Sequence, residues 1–220
     1  MVVEPVPVET PAGPGRLFLD LADQPVATLL LGHGAGGGVE APDLALLAHR
    51  LPERGISVVR FEQPWRTAGR RIAVAPPKLD EAWRAATGWL VEQPWAVGPL
   101  FFGGRSAGAR VACRTAEEFA VAGVVCLAFP LHPPGRPERT RAAELLAPTM
   151  PRLVLQGTND AFGGPEEIRT AAAGAAGIHV VELPGADHGF RMAKGSPNTS
   201  ADLRTTVVEA VHRLVLPDRG

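Results

Sequence analysis

The chain has 220 residues, 45% of them hydrophobic and 20% charged, with 22 basic against 23 acidic side chains and a formal net charge of −1. That mix excludes a chain disordered throughout, and the near-even charge balance gives no support to nucleic-acid or anionic-membrane binding through bulk charge. The length suits a single domain, 1–220, whose core needs no disulfide staples. No run approaches the ~18 apolar residues of a membrane span, and no basic-then-apolar leader opens the chain. The expectation is a cytoplasmic protein whose Cys113 and Cys126, both in apolar segments, are reduced and buried.

Short apolar runs alternate with helical patterns along the whole sequence. Val2–Val8 and Arg16–Leu21 read as strands around a Pro/Gly turn. Val26–Leu31 is a buried strand running into Gly32-His33-Gly34-Ala35-Gly36-Gly37-Gly38. Leu44, Leu47 and Leu51 then mark one helical face, which Gly55 closes. Ile56–Phe61 is a strand, followed by an irregular loop from Glu62 to Lys78 and a helix carrying Leu79, Trp83, Ala86 and Leu90.

Leu100–Phe102 is a short strand that enters Gly104-Arg105-Ser106-Ala107-Gly108, and a helix follows from Ser106 to Phe119. Gly123–Phe129, Arg152–Gln156 and Ile178–Leu183 are the remaining strands. Between them lie a Pro-rich excursion at Pro130–Pro137, a short helix over Glu138–Leu146 and a helix over Pro165–Ala173; a helix over Ala201–Val215 closes the pattern. Strands alternating with helices predict an α/β fold, a mostly parallel sheet covered on both faces. Ligands on such sheets bind at the carboxyl ends of the strands. The unusual residues of this chain follow strand ends.

Gly104-Arg105-Ser106-Ala107-Gly108 matches Gly-x-Ser-x-Gly, and it gains specificity from the strand before it and the helix after it. The same pattern also fits a tight turn with serine as an N-cap. As a nucleophile, Ser106 needs a base. His188 fits, in the Gly-rich loop Gly185-Ala186-Asp187-His188-Gly189 between the last strand and the last helix. His49 and His212 fall on helix surfaces, His179 starts a strand, His132 sits in a Pro-rich loop, and His33 is expected to brace its own loop.

Asp160, which ends Gly157-Thr158-Asn159-Asp160 after a strand, is the expected acid. Its competitor is Asp187, but neighbouring side chains in an extended loop point apart, so Asp187 reaches the ring of His188 poorly. The order Ser106, Asp160, His188 is that of α/β-hydrolases. The backbone N–H of Ala107 and that of Ala35, with Gly34 as the alternative, are the expected oxyanion donors. The run Gly34 to Gly38 has neither the Gly-Lys-Ser/Thr ending of a P-loop nor dinucleotide spacing.

Taken together, these four ordered motifs resemble the α/β-hydrolase superfamily over nearly the whole chain. More narrowly, His33-Gly34-Ala35-Gly36-Gly37, Gly103-Gly104-Arg105-Ser106-Ala107-Gly108-Ala109-Arg110 and Gly185-Ala186-Asp187-His188-Gly189-Phe190 are similar to a compact group of lidless, dienelactone-hydrolase-like proteins. The resemblance implies an eight-stranded sheet whose first strands are antiparallel, and serine catalysis through an acyl-enzyme. It also implies no metal or organic cofactor. Ser106 departs from the cysteine of dienelactone hydrolases proper. Phe129–Pro148 is too short for a separate cap domain.

The expected activity is cleavage of small carboxylic esters, with a small-molecule ester as the partner. A thioesterase or peptidase using the same serine, and a non-catalytic binding or scaffold protein on the same fold, are the alternatives. Gln63-Pro64-Trp65-Arg66, Arg70-Arg71 and Leu131–Arg136 are expected at the rim of the site. There they would supply an aromatic wall and positive charge, unless Trp65 packs its loop and the arginines are solvated.

Overall fold

A computed structural model describes residues 4–192, 195–196 and 198–217, so the start of the strand expected from Val2 lies outside it. The strands are β1 (Val6–Val8), β2 (Gly15–Asp20), β3 (Ala27–Gly32), β4 (Ile56–Glu62), β5 (Leu100–Arg105), β6 (Val121–Leu127), β7 (Arg152–Gly157) and β8 (Ile178–Leu183). The helices are α1 (Pro42–Arg50), α2 (Pro64–Thr67), α3 (Pro76–Val91), α4 (Ala107–Thr115), α5 (Ala142–Leu146), α6 (Pro165–Ala171) and α7 (Ser200–Val215). One eight-stranded sheet runs in the order β1-β2-β4-β3-β5-β6-β7-β8. The β1/β2 and β2/β4 pairs are antiparallel and the other neighbours are parallel.

Alternation along each strand divides the core into two layers. Leu30 of β3 joins Phe61, Phe102 and Val124 against Trp83 of α3 and Val111 of α4. Its neighbours Leu29 and Leu31 turn the other way, against Leu44 and Leu47 of α1 and Val207 and Val211 of α7. Every residue of β3 and β4 is buried. β3 is apolar but for Thr28, as a strand covered on both faces should be, whereas Ser57, Arg60 and Glu62 of β4 are matched by Ala22 N–H, Asp20 and Arg16. Cys113 and Cys126 are free and buried, with Sγ atoms 3.6 Å apart.

The connection after β3 crosses the sheet on the α1/α7 face, whereas the connection after β5 crosses on the α3/α4 face. Since β3 and β5 are adjacent, the chain departs in opposite directions from two neighbouring strand ends. That switch point opens a crevice above the sheet. Some boundaries shift from the sequence pattern. β5 continues through Arg105, and the helix after it ends at Thr115 before a 3₁₀ turn over Ala116–Glu118. Helix α2 sits within the loop expected to be irregular. Among the described residues, no helix is long and apolar enough to cross a membrane.

The crossing of α4 over β3 depends on glycine. A Cβ on Gly108 would strike the carbonyl group of Gly32, and one on Gly104 would stand 2.6 Å from the same oxygen. Neither neighbour is a flexible side-chain tip, so backbone must move. Gly108→Ala is expected to destabilise the protein by about 3 kcal/mol, the upper part of the overpacking range. Urea unfolding measures it, and a loss below about 0.5 kcal/mol, ordinary for an innocuous substitution, would refute the close approach of α4 to β3.

Candidate active site

Ser106 joins β5 to α4 with φ 52° and ψ −110°, a backbone conformation unfavourable for a residue with a Cβ. Such strain costs on the order of 1–3 kcal/mol and persists only where the surroundings hold it. Here the Ser106 N–H donates to Leu127 O at 2.9 Å, and Gly104 and Gly108 let the turn press onto Gly32. The side chain is thereby lifted above the sheet at the start of α4. The loop after β3 runs alongside, and a Cβ built on Gly34 would lie 3.6 Å from the Ser106 Cβ. Among the described residues, the N–H groups of Gly34, Ala35 and Ala107 have no hydrogen-bond partner, and all three residues line the cleft beside Ser106.

His188 Nε2 lies 3.0 Å from Ser106 Oγ, and His188 Nδ1 lies 2.8 and 3.0 Å from the two carboxylate oxygens of Asp160. An ionised carboxylate only accepts, so Nδ1 carries the proton and Nε2 is left to accept from the serine hydroxyl. The Asp160 side chain is 0% exposed. Its Oδ1 also accepts from Phe162 N–H at 2.8 Å, and its Oδ2 accepts from Gln156 Nε2 at 2.9 Å. The ring of Phe162 lies over His188, with centroids 4.2 Å apart and planes inclined by 31°.

Local folding explains how residues so far apart in sequence meet. The turn after β7 and the loop after β8 are laced together. Asn159 N–H donates to Ala186 O at 2.9 Å, and Gly185 N–H donates to Thr158 Oγ1 at 2.8 Å. Asp187 does not face the ring of its neighbour. Its Oδ1 accepts from Gly189 N–H at 2.7 Å and Arg191 N–H at 2.9 Å, closing the turn that presents His188. His33 braces its loop as expected from the sequence. Its Nε2 accepts from Gln63 N–H at 3.1 Å, which leaves Nδ1–H to donate to Gly34 O at 2.9 Å. Burial holds the His33 pKa below its ordinary value.

The segments expected at the rim lie elsewhere. The cleft that contains Ser106 and His188 has a volume of about 880 Å³, and no residue from Gln63–Arg66, Arg70-Arg71 or Leu131–Arg136 lines it. Helix α2 turns Trp65 inward to 4% exposure, where it packs on His33 with ring centroids 5.4 Å apart. His132 is buried against α6, its Nε2 3.0 Å from Glu167 Oε2. The hydrogen bond to the Pro133 carbonyl is the main cause raising the His132 pKa.

Other residues take those places. Arg105 donates from Nη1 to Asp43 Oδ2 at 2.8 Å and from Nη2 to the His188 carbonyl at 2.5 Å, tying the histidine loop to β5 and α1. Buried Gln156 gathers the carbonyls of Phe129 and Gly163 together with Asp160 around its Nε2. Sequence reasoning passed over both. A signal existed for Gln156, a polar residue at the end of an otherwise apolar run and four positions before Asp160. Among the described residues, no cluster of three or more His, Cys, Asp and Glu side chains is arranged to hold a metal ion.

This strand order, with a serine turn after the fifth strand, defines the α/β-hydrolase fold. A profile of the family described as an alpha/beta hydrolase domain matches residues 25–216, and the chain belongs to that family. Among solved structures it is similar to a lidless α/β serine hydrolase from Xanthomonas campestris, with 23% identity, coverage of 97% of this chain and 95% of that one, and a TM-score of 0.72. An α/β serine hydrolase homologue from Coxiella burnetii shares 22% identity over 95% and 97% of the two chains, with a TM-score of 0.74. A dienelactone hydrolase from Anabaena variabilis shares 19% over 96% and 97%, with a TM-score of 0.70. The likeness to lidless, dienelactone-hydrolase-like proteins read from the motifs therefore holds for the fold.

Proposed function

We propose that the protein is a serine hydrolase that cleaves small carboxylic esters through an acyl-enzyme. The observation that carries this reading is the unbroken hydrogen-bond chain from Ser106 Oγ through His188 to the buried Asp160, beside backbone N–H groups with no partner among the described residues. Ser106 Oγ attacks the ester carbonyl as His188 Nε2 takes the hydroxyl proton. Asp160 fixes the tautomer and stabilises the imidazolium that forms. The carbonyl oxygen, now an oxyanion, accepts from Ala107 N–H and Ala35 N–H. The tetrahedral intermediate collapses, and His188 returns the proton to the departing alkoxide. Water then repeats the sequence on the acyl-enzyme and releases the acid.

The esterase and dienelactone hydrolase names borne by similar structures support the same class of chemistry. Labelling with a fluorophosphonate probe tests the reading directly. One equivalent is expected on Ser106 and none on Ser106→Ala. A protein that keeps the fold only as a scaffold would remain unlabelled, and that outcome would refute the hydrolase reading.

A further inference from the structure

We infer that the cleft selects esters carrying an anionic group, a carboxylate or a phosphate, and that Arg141 is its principal seat. The inference rests on the hydrolase reading above and concerns the substrate class of the same site. The chain as a whole is close to neutral, at −1, yet the wall of its cleft is strongly cationic. Most of that charge is matched. Arg105 is paired with Asp43. Arg110 meets Glu144 through one edge of its guanidinium, Nε and Nη2 donating at 2.7 and 2.6 Å. Glu144 also receives Arg114, which is held by Asp80, so two arginines and two carboxylates close a balanced cluster.

Three cleft arginines remain. Arg141, Arg191 and Arg204 have no carboxylate within 4.0 Å among the described residues. Arg191 and Arg204 are exposed, where water solvates a guanidinium well. Arg141 differs because it is half-buried. Its Nη1 donates to Pro130 O at 2.8 Å, and the rest of its fork has no partner among the described residues. Burial, and then the neighbouring Arg110 charge, weaken its hold on its proton.

A half-buried, unmatched guanidinium in a cleft is a site where an anion removes unfavourable energy. The planar fork fits a carboxylate or phosphate with two parallel hydrogen bonds. The cleft also has apolar lining, from Leu46, Phe190, Met192 and Leu203. A substrate of mixed character, apolar in one part and anionic in another, matches both kinds of lining at once. The cleft volume of about 880 Å³ exceeds what a short neutral acyl group fills.

The test compares p-nitrophenyl esters of pentanoic acid, glutaric acid and phosphonobutyric acid, which are neutral, carboxylate-bearing and phosphonate-bearing. At low ionic strength the better anionic ester is expected to exceed the neutral one in kcat/KM by about tenfold to hundredfold, as for a charge-assisted hydrogen bond. Which anion leads identifies the source. The preference should shrink in ~1 M salt, where charges are screened within about 3 Å. Arg141→Gln should bring the ratio close to one, and Arg141→Lys should fall between. Arg84→Gln, whose partner Glu118 lies outside the cleft, should keep it. Equal or better use of the neutral ester by the wild type, or an equal loss on all esters in Arg141→Gln, would overturn the inference. Should no ester be cleaved at all, the hydrolase reading fails instead. Titration with monomethyl glutarate then decides the cleft: binding weakened about tenfold in Arg141→Gln supports an anion seat, and absence of binding overturns it.

Discussion

Ser106→Ala is expected to remove ester turnover, lowering kcat by roughly 10⁶-fold, because hydroxyl and imidazole act as one unit and the loss of either forfeits the whole nucleophilic route. The fold should be untouched. Alanine keeps the Cβ that is disfavoured at φ 52°, and the backbone bond to Leu127 O needs no side chain. Ser106→Gly separates the two roles of this position. Glycine adopts positive φ readily, so this variant should be equally inactive yet more stable than the wild type by about 1 kcal/mol. Turnover of p-nitrophenyl acetate and urea unfolding of the three proteins provide the measurements. Wild-type rates in Ser106→Ala would mean that the nucleophile is elsewhere. A Ser106→Gly protein less stable than the alanine variant would mean that the turn is not strained by its Cβ.

The parts of the site that could be read from the sequence are those that sit on strand ends. Each of Ser106, Asp160 and His188 follows an apolar run within a few residues and is flanked by glycine, so a one-dimensional pattern marks it. The glycines themselves are legible because their reason is local. Gly104 and Gly108 both press on Gly32, and any larger residue would push α4 off the sheet. Partners brought together by topology leave no such trace. Asp43 and Arg105 are 62 positions apart and meet only because the chain leaves β3 and β5 toward opposite faces.

The arginines of the cleft show the same limit. Periodicity does not say which charged loops fold over the sheet and which fold away. For Trp65, a rim wall and the packing of its own loop both stand open from the sequence. A single turn of helix beginning at Pro64 directs it into the core beside His33. Arg141 comes to the cleft from the segment after β6, where its spacing signals nothing. Its position follows from its backbone, which donates to Leu131 O at 2.7 Å, and from its side chain on Pro130 O.

Asp160→Asn is expected to lower kcat by about 10⁴-fold, through the tautomer of His188 and not through distance. The two carboxylate oxygens are surrounded by donors: Phe162 N–H on one, Gln156 Nε2 on the other, and His188 Nδ1 between them. An amide has one accepting oxygen and one donating nitrogen. If the oxygen is kept toward His188, the NH₂ opposes a neighbouring donor, and about 1–3 kcal/mol of stability is lost to a buried unsatisfied group. If the NH₂ turns toward His188, the ring must place its proton on Nε2, which can no longer accept from Ser106.

Both arrangements are costly, so Asp160→Asn should lose activity and stability together, whereas Ser106→Ala should lose activity alone. Asp187→Asn is the matched comparison. Its Oδ1 serves Gly189 N–H and Arg191 N–H, and an asparagine oxygen serves both equally well, so kcat should stay close to wild type. Steady-state kinetics and urea unfolding of the two asparagine variants decide the assignment. A mild Asp160→Asn beside a severe Asp187→Asn would transfer the role of the acid to Asp187, and would require the loop after β8 to rearrange before His188 could act as a base.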